Sequence, residues 1–450
     1  MSNTVYGQQV IPSASRLMKS LRDLGYDFSQ AVADLVDNSI EAGSTKVIID
    51  VEFDGDHSRV RIADNGKGMS LPELQEAMRY GSERDYEEID GLGKFGLGLK
   101  TASLSQCQRL SVASRDDRDK EFNACCWDLE HVEKTNKWEL INPDKKNIQQ
   151  ILGNGITDST GTVVLWQWLD RMLGMKHPYG EVARKRLMSM CRDLENHLAM
   201  VFHRFLDGEV PGKTLEIILN GNKIEPWDPY ARGEPKTKVL DPIHIPLEYE
   251  GVSGEVILEP FVLPHQDDFS SRDAFNRTSG PAKWNQQQGF YIYRSDRLIQ
   301  SGGWSKLQTV DEHTKLARLA LRFTSQLDDA FKINVAKMRV QLPTQIRDQI
   351  SDAIKPVIKL AQETYRRTGQ KPAGAPSTKL GTQAPPPPFQ SSGGSPSHSG
   401  NQPSPYSENQ QPSRLWKMDE LQSLLECIAE PEEKPVIARV FNRFRRKLDS

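Results

Sequence analysis

The sequence predicts an α+β protein in which a layer of helices lies on a mixed sheet, followed by a second mixed α/β region. Three observations carry the prediction. Residues 28–42 place Phe28, Val32, Leu35, Val36 and Ile40 on one face at helical spacing. Short strand-like runs surround that helix: Val47, Ile49, Val51 and Phe53 alternate, and RVRIAD (59–64), RLSVASR (109–115), FNACCWDL (122–129), GTVVLWQW (161–168) and KTLEIILNG (213–221) follow. The composition then changes abruptly at residue 368.

Taken in order, SLPE at 70–73 is a capping box that opens a helix. A long helix is expected over about 178–207. From roughly 226 to 365 the pattern predicts strands at 254–263 and 288–294 and a helix at 311–323. Residues 368–413 are rich in Pro, Gly, Ser and Gln with a single leucine, Leu380, too little apolar surface to offset the entropy of ordering. They read as a disordered linker whose PPPP at 385–388 acts as a stiff spacer. Leu415, Met418, Leu421, Leu425 and Ile428, then Val436, Val440, Phe441, Phe444 and Leu448, give a helical hairpin over 414–450 that is expected to dock on a protein partner. The expected divisions are therefore 1–225, 226–367, 368–413 and 414–450. No internal repeat is visible.

Composition narrows the function classes. The 450 residues carry a formal net charge of −3, so nothing global signals nucleic acid or membrane. Five scattered cysteines, none in a CxxC pair, fit a reduced cytoplasmic protein. No run of 18 apolar residues suggests a membrane span, and MSNTVYGQQVIPSASR lacks an apolar targeting core.

The chemistry concentrates in DGLGKFGLGLKTAS, residues 90–103, where Gly91, Gly93, Gly96 and Gly98 would let backbone N–H groups approach phosphate. Gly91 to Gly96 fits the GxGxxG spacing, and Asp116 follows 20 residues after Gly96. A dinucleotide loop must follow a buried strand, however, and SERDYEEID is charged and irregular. The Walker loop fails because Leu99 separates Gly98 from Lys100. A protein-kinase loop fails because no VAIK-like strand comes after it.

Two earlier segments settle the assignment. The 28–42 helix carries Asp34 and Asn38 four residues apart, so they project side by side opposite the apolar face. Asp64-Asn-Gly66-Lys-Gly68-Met69 then closes a strand. QAVADLVDNSIEAGS (30–44), ADNGKGM (63–69) and GLGKFGLGLKTAS (91–103), with Gly161-Thr162 before a late strand, resemble in order the motifs of the GHKL ATPases. That family includes gyrase B, MutL, the ninety-kilodalton heat-shock chaperone, histidine kinases and MORC proteins. The Lys100-Thr101 ending and the Asp-Asn pair of the helix look most like MORC and its bacterial relatives.

The resemblance implies a Bergerat fold, ATP and Mg²⁺. By the same resemblance, Asn38 would be the Mg²⁺ ligand, and Asp64 would accept from the adenine amino group. Gly66, Gly68 and Met69 would flank the base, with Thr162 helping at that end. Gly93, Lys94, Gly96, Leu97, Gly98, Lys100 and Thr101 would surround the phosphates, and the charged segment between Gly81 and Leu97 would be a lid. The second region would be an S5-like transducer whose lysine reaches the γ-phosphate, with Lys337 of FKINVAKMRVQLP the first candidate and Lys332 the second.

The general base of the family is usually glutamate, and here the position holds Asp34. The carboxylate then sits about 1.5 Å further from the attacking water, and a misplacement of about 1 Å can cost on the order of 100-fold in rate. Slow hydrolysis coupled to conformational change is the resulting expectation. Histidine-kinase activity does not fit, since the first histidine is His57, after the motif helix. The resemblance further implies an ATP-dependent homodimeric clamp working on DNA. Two rival readings stay open: a chaperone-like ATPase acting on proteins, and a non-hydrolysing scaffold.

Overall fold

The structure is a computed structural model that describes residues 11–23, 25–81, 98–153, 160–174, 177–333 and 340–366. The linker expected at 368–413 and the hairpin expected at 414–450 lie outside the described residues.

The chain opens with α1 (Ala14–Arg22) and α2 (Phe28–Glu41), then the hairpin of β1 (Lys46–Glu52) and β2 (Arg59–Asp64). Next come α3 (Leu71–Met78), α4 (Gly98–Leu104), β3 (Arg109–Arg115), β4 (Asn123–Asp128), α5 (Leu129–Thr135) and α6 (Lys145–Leu152). β5 (Gly161–Gln167), α7 (Asp170–Leu173), α8 (Glu181–Val201), α9 (His203–Leu206), β6 (Glu216–Leu219) and β7 (Asn222–Lys223) complete the first half. Its seven strands form one mixed sheet in the order β4-β3-β5-β2-β1-β6-β7, with β1 and β6 parallel and every other neighbouring pair antiparallel. Helices cover the sheet, which is the layered Bergerat α/β sandwich.

Local chemistry explains where the elements start. Asp27 caps α2 by accepting from the Gln30 N–H at 2.8 Å, and the Ser70–Glu73 capping box opens α3. The apolar face read from the sequence is buried, and so is almost everything else on α2: Asp34 is 4% exposed and Asp37 is fully enclosed. α4 and α8 pack against the face left over by the core, so the acidic side of α2 is not a solvated stripe.

The second half builds a six-stranded sheet from β8 (Lys238–Val239), β9 (Ile243–Tyr249), β10 (Val252–Val262), β11 (Gly289–Arg294), β12 (Arg297–Ser301) and β13 (Ala317–Phe323). The order is β12-β11-β13-β10-β8, with β9 on β10 and with β11 and β13 parallel. Short helices α10 (Arg272–Thr278) and α11 (Lys283–Gln286) precede β11, and α12 (Thr344–Arg366) closes the described chain. Ile346, Ile350, Ile354, Val357 and Ala361 of α12 enter the same core as Leu258, Phe290, Leu319 and Leu321.

Two expectations are corrected. Residues 311–323 are not a helix but a short 3-10 turn at Glu312–Thr314 followed by strand β13. Leu316, Leu319, Ala320 and Phe323 fall at helical spacing, yet β13 lies between β10 and β11 and is buried on both faces, so it shows no alternation. The long helix expected over 178–207 breaks at Phe202 into α8 and α9.

Candidate functional site

Strand register assembles one end of the site. Asp64 of β2 is opposite Thr162 of β5, and Thr162 is opposite Ser114 of β3, so three polar residues stand in a row across adjacent strands. Asp64 Oδ1 accepts from the Gly66 N–H at 2.9 Å, and Oδ2 accepts from Ser39 Oγ at 3.1 Å. The Ser114 hydroxyl lies 2.8 Å from Thr162 Oγ1, 3.1 Å from the Gly161 carbonyl and 2.9 Å from the Met69 N–H that donates to it. Asp64, Gly66, Met69 and Thr162 are thus brought together.

Burial pushes the Asp64 carboxyl up to about 6, against the opposing pull of its Gly66, Ser39 and Thr162 hydrogen bonds. A buried acceptor held in this way can select a ligand by one N–H group. Gly161 and Gly68 make the closest approaches to backbone here. A Cβ on Gly161 would sit 2.3 Å from the Asp64 carbonyl oxygen, and one on Gly68 (φ 68°) would collide with the Arg115 carbonyl.

The other end belongs to α2 and α4. A Cβ built on Gly98 would meet Asp34 Oδ2 at 3.6 Å, so the Asp34 carboxylate faces the first described residue of α4. Tyr26 is buried alongside, and burial together with the Asp34 charge raises its phenol above the ordinary range. Asn38 follows one turn later and is half-buried. Its amide oxygen is a hard donor suited to Mg²⁺, which commonly takes one or two protein ligands and completes its shell with substrate phosphates and water. Among the described residues no group of three or more His, Cys, Asp or Glu side chains could hold a metal ion.

The remaining candidates divide. Thr101 is buried in α4 near Asp34 and Tyr26. Lys100 is buried too, but its ammonium turns to the end of α3, donating to the Ala77 and Arg79 carbonyls at 2.9 and 2.8 Å. Burial brings this amine down to about 8. Lys332 is exposed in a left-handed turn (φ 49°). Gly93, Lys94, Gly96, Leu97 and Lys337 lie outside the described residues, as does most of the lid expected between Gly81 and Leu97.

The sequence reading missed four residues. Ser39 and Ser114 complete the Asp64 row, and Tyr26 borders Asp34. The fourth is Arg297, at the start of β12 in the second sheet. Its Nε lies 2.8 Å from each carboxylate oxygen of Asp37, and its Nη2 lies 3.6 Å from Asp34 Oδ1.

The site thus combines a buried acceptor beside a Gly-Thr strand start, a carboxylate facing a glycine-led helix, and an Asn one turn from that carboxylate. Residues 26–162 match the family model described as histidine kinase-, DNA gyrase B-, and HSP90-like ATPase. This part of the chain is therefore similar to GHKL-type ATPase domains. Its relatives include the DNA mismatch repair protein MutL of Pseudoalteromonas translucida, 39% identical over 93 residues, which is 19% of this chain and 15% of that one. The MutL proteins of Haemophilus influenzae (34% over 97 residues, 21% of this chain) and Erwinia tasmaniensis (37% over 99 residues, 21% of this chain) are similar as well. The chain matches only about 15% of the length of these relatives. Among the described residues no helix is long and apolar enough to cross a membrane.

Proposed function

We propose that this chain binds ATP with Mg²⁺, hydrolyses it slowly, and uses the cycle to close a lid and pair with a second copy as an ATP-gated clamp in a process on DNA. One observation carries the reading. The single helix α2 turns Asp34 toward Gly98 and, five residues later, lays Ser39 on Asp64. One rigid element therefore spans the acceptor end and the acid end at once, as a nucleotide running from base to phosphate would require.

In this reading Asp64 accepts from the adenine amino group, and a guanine carbonyl in its place would face a carboxylate. Met69 packs on the base, and Thr162 and Ser114 fix that edge. Gly98 and Thr101 present α4 to the phosphates. Asn38 would hold the Mg²⁺, which when bound neutralises phosphate charge. Asp34 takes the proton of the attacking water. Lys337, with Lys332 as second candidate, stabilises charge developing at the γ-phosphate.

The proposed divisions are an ATP-binding domain over 1–225, an S5-like transducer over 226–367, a linker over 368–413 and a partner-binding tail over 414–450, all in the cytoplasm. The Lys100-Thr101 ending and the Asp37-Asn38 pair favour the MORC-like branch. The DNA client rests on the mismatch-repair name of the MutL relatives.

The test is steady-state ATP hydrolysis against protein concentration, with Asp34→Asn as control. Turnover that rises faster than linearly and is lost in the variant supports a dimeric clamp with Asp34 as base. Tight ATP binding with no turnover above the variant favours the scaffold reading, which the shorter Asp34 side chain motivates. A DNA-stimulated rate and salt-dependent DNA binding would separate the clamp from a chaperone acting on proteins.

A further inference from the structure

Hairpin β11–β12 of the second sheet turns through Ser295 and Asp296, both left-handed (φ 45° and 68°), a tight turn made without glycine. Each residue around that turn is tied down. Arg294 grips Asp328 of its own half at 2.6 and 2.8 Å, with both side chains buried. Asp296 pairs with Arg204 of α9 at 2.8 Å, and the Tyr293 hydroxyl lies 2.8 Å from His203 Nε2. The turn is thus fastened to both halves of the molecule, and it delivers Arg297 into the acidic side of α2.

Asp34 and Asp37 are three residues apart on α2 and share a face. Both are buried, as is Arg297. Asp37 holds the guanidinium through Nε, which leaves Nη2 directed to Asp34 at 3.6 Å, too long for a hydrogen bond but close enough for its charge to act. The ring of Phe202 lies under the guanidinium, its centroid 5.9 Å away, and the neighbouring half-buried His197 is brought down to about 4 by desolvation, so it adds no positive charge at neutral pH.

We propose that Arg297 is a positioning residue for hydrolysis: anchored on Asp37, it sets the orientation of Asp34 and makes that orientation depend on where the second sheet sits. This rests on the reading of Asp34 as the water-activating carboxylate. Arg297 need touch neither nucleotide nor water. A shift of the β11–β12 hairpin moves the fork, and the fork moves the carboxylate. Turnover would then respond to the second sheet, while nucleotide binding at the Asp64 end would not.

The experiment compares kcat, ATP dissociation constant and thermal unfolding for the wild type, Asp34→Asn, Arg297→Lys and the double variant Arg297→Met/Asp37→Asn. The double variant removes both buried charges, so no lone carboxylate is stranded at Asp37. It is expected to unfold cooperatively and bind ATP within about threefold of wild type, with kcat lowered about 30- to 100-fold, the scale of a roughly 1 Å misplacement. Arg297→Lys keeps the charge but loses the fork, and is expected to lower kcat at least about threefold with binding unchanged.

A merely structural ion pair predicts full kcat in the double variant, and that result would overturn the inference. So would kcat and affinity falling together. If the double variant does not fold, Arg297→Lys decides, and unchanged kcat there overturns the inference. Wild-type turnover no higher than Asp34→Asn would instead defeat the reading of Asp34 itself, a separate outcome.

Discussion

Asp64 makes the proposed adenine contact measurable through pH. Its carboxyl is raised from 3.8 to about 6, with burial as the main cause. That difference of about two pH units, at about 1.4 kcal/mol each, means that ionising Asp64 costs the fold ~3 kcal/mol at pH 7. The folded pKa is the higher one, so the contribution of the protonated carboxyl is fully present below about 3.8 and lost as pH rises through 6. Adenine binding reverses the preference, because an amino group donating to the carboxylate is worth ~1.5–3 kcal/mol and favours the charged form. ATP should therefore expel a proton from Asp64 below pH 6, and affinity should fall about tenfold between pH 7 and pH 5. Calorimetric titration over that range measures it. Inorganic tripolyphosphate with Mg²⁺, competing for the same site, corrects for phosphate titration. A ratio of ATP to tripolyphosphate affinity that stays flat from pH 7 to 5 would refute the assignment of Asp64 to the adenine.

Three further outcomes are expected. Gly161→Ala drives a Cβ to 2.3 Å from the Asp64 carbonyl oxygen at a backbone φ of 149°, and urea unfolding should show a loss of about 3 kcal/mol or more, with ATP binding impaired in whatever remains folded. Ser114→Ala strips the partner from the Met69 N–H and the Thr162 hydroxyl; stability should drop by about 1–3 kcal/mol and ATP affinity several-fold, with kcat at saturating ATP little changed. Lys100→Met removes a cation from the carbonyls that end α3. The folded amine is lowered to about 8 from 10.5, so the unfolded chain binds the extra proton, and wild-type stability should rise with pH between about 8 and 10.5. Denaturation series at pH 7.5 and 10.5 should show that rise in the wild type and not in Lys100→Met.

The first sheet and α2 were legible because their signals are local. Alternation marks β1, short apolar runs mark β2 to β5, and Phe28, Val32, Leu35, Val36 and Ile40 mark the face of α2 that meets the core. β13 was misread because a strand covered on both faces loses its alternation, and leucine and alanine spacing then imitates a helix. α12 went unread although Ile346, Ile350, Ile354 and Val357 are well spaced; it carries Pro356 in its interior. At the site, motif order supplied Asp34, Asn38, Asp64 and Thr162. Ser114 becomes visible only with the register of β3 on β5, and Ser39 only with the approach of α2 to β2. Arg297 is 260 residues from Asp37, and no local pattern links the two.

The two ends of the site differ in how they are built, and the difference has a functional consequence. The Asp64 row is fixed by the pairing of β3, β5 and β2 in one sheet, where a strand cannot slip without turning every side chain over. The Asp34 end is assembled from α2, α4 and the hairpin of a different sheet, so its geometry depends on how two halves meet. Under the proposed function, recognition is then rigid and hydrolysis is adjustable. Substitutions along the strand row should register in affinity, and substitutions along β11–β12 should register in turnover. If Asp34 is the base, as proposed, that arrangement would offer a physical reason for slow turnover: the carboxylate would reach the water only in one setting of the second sheet.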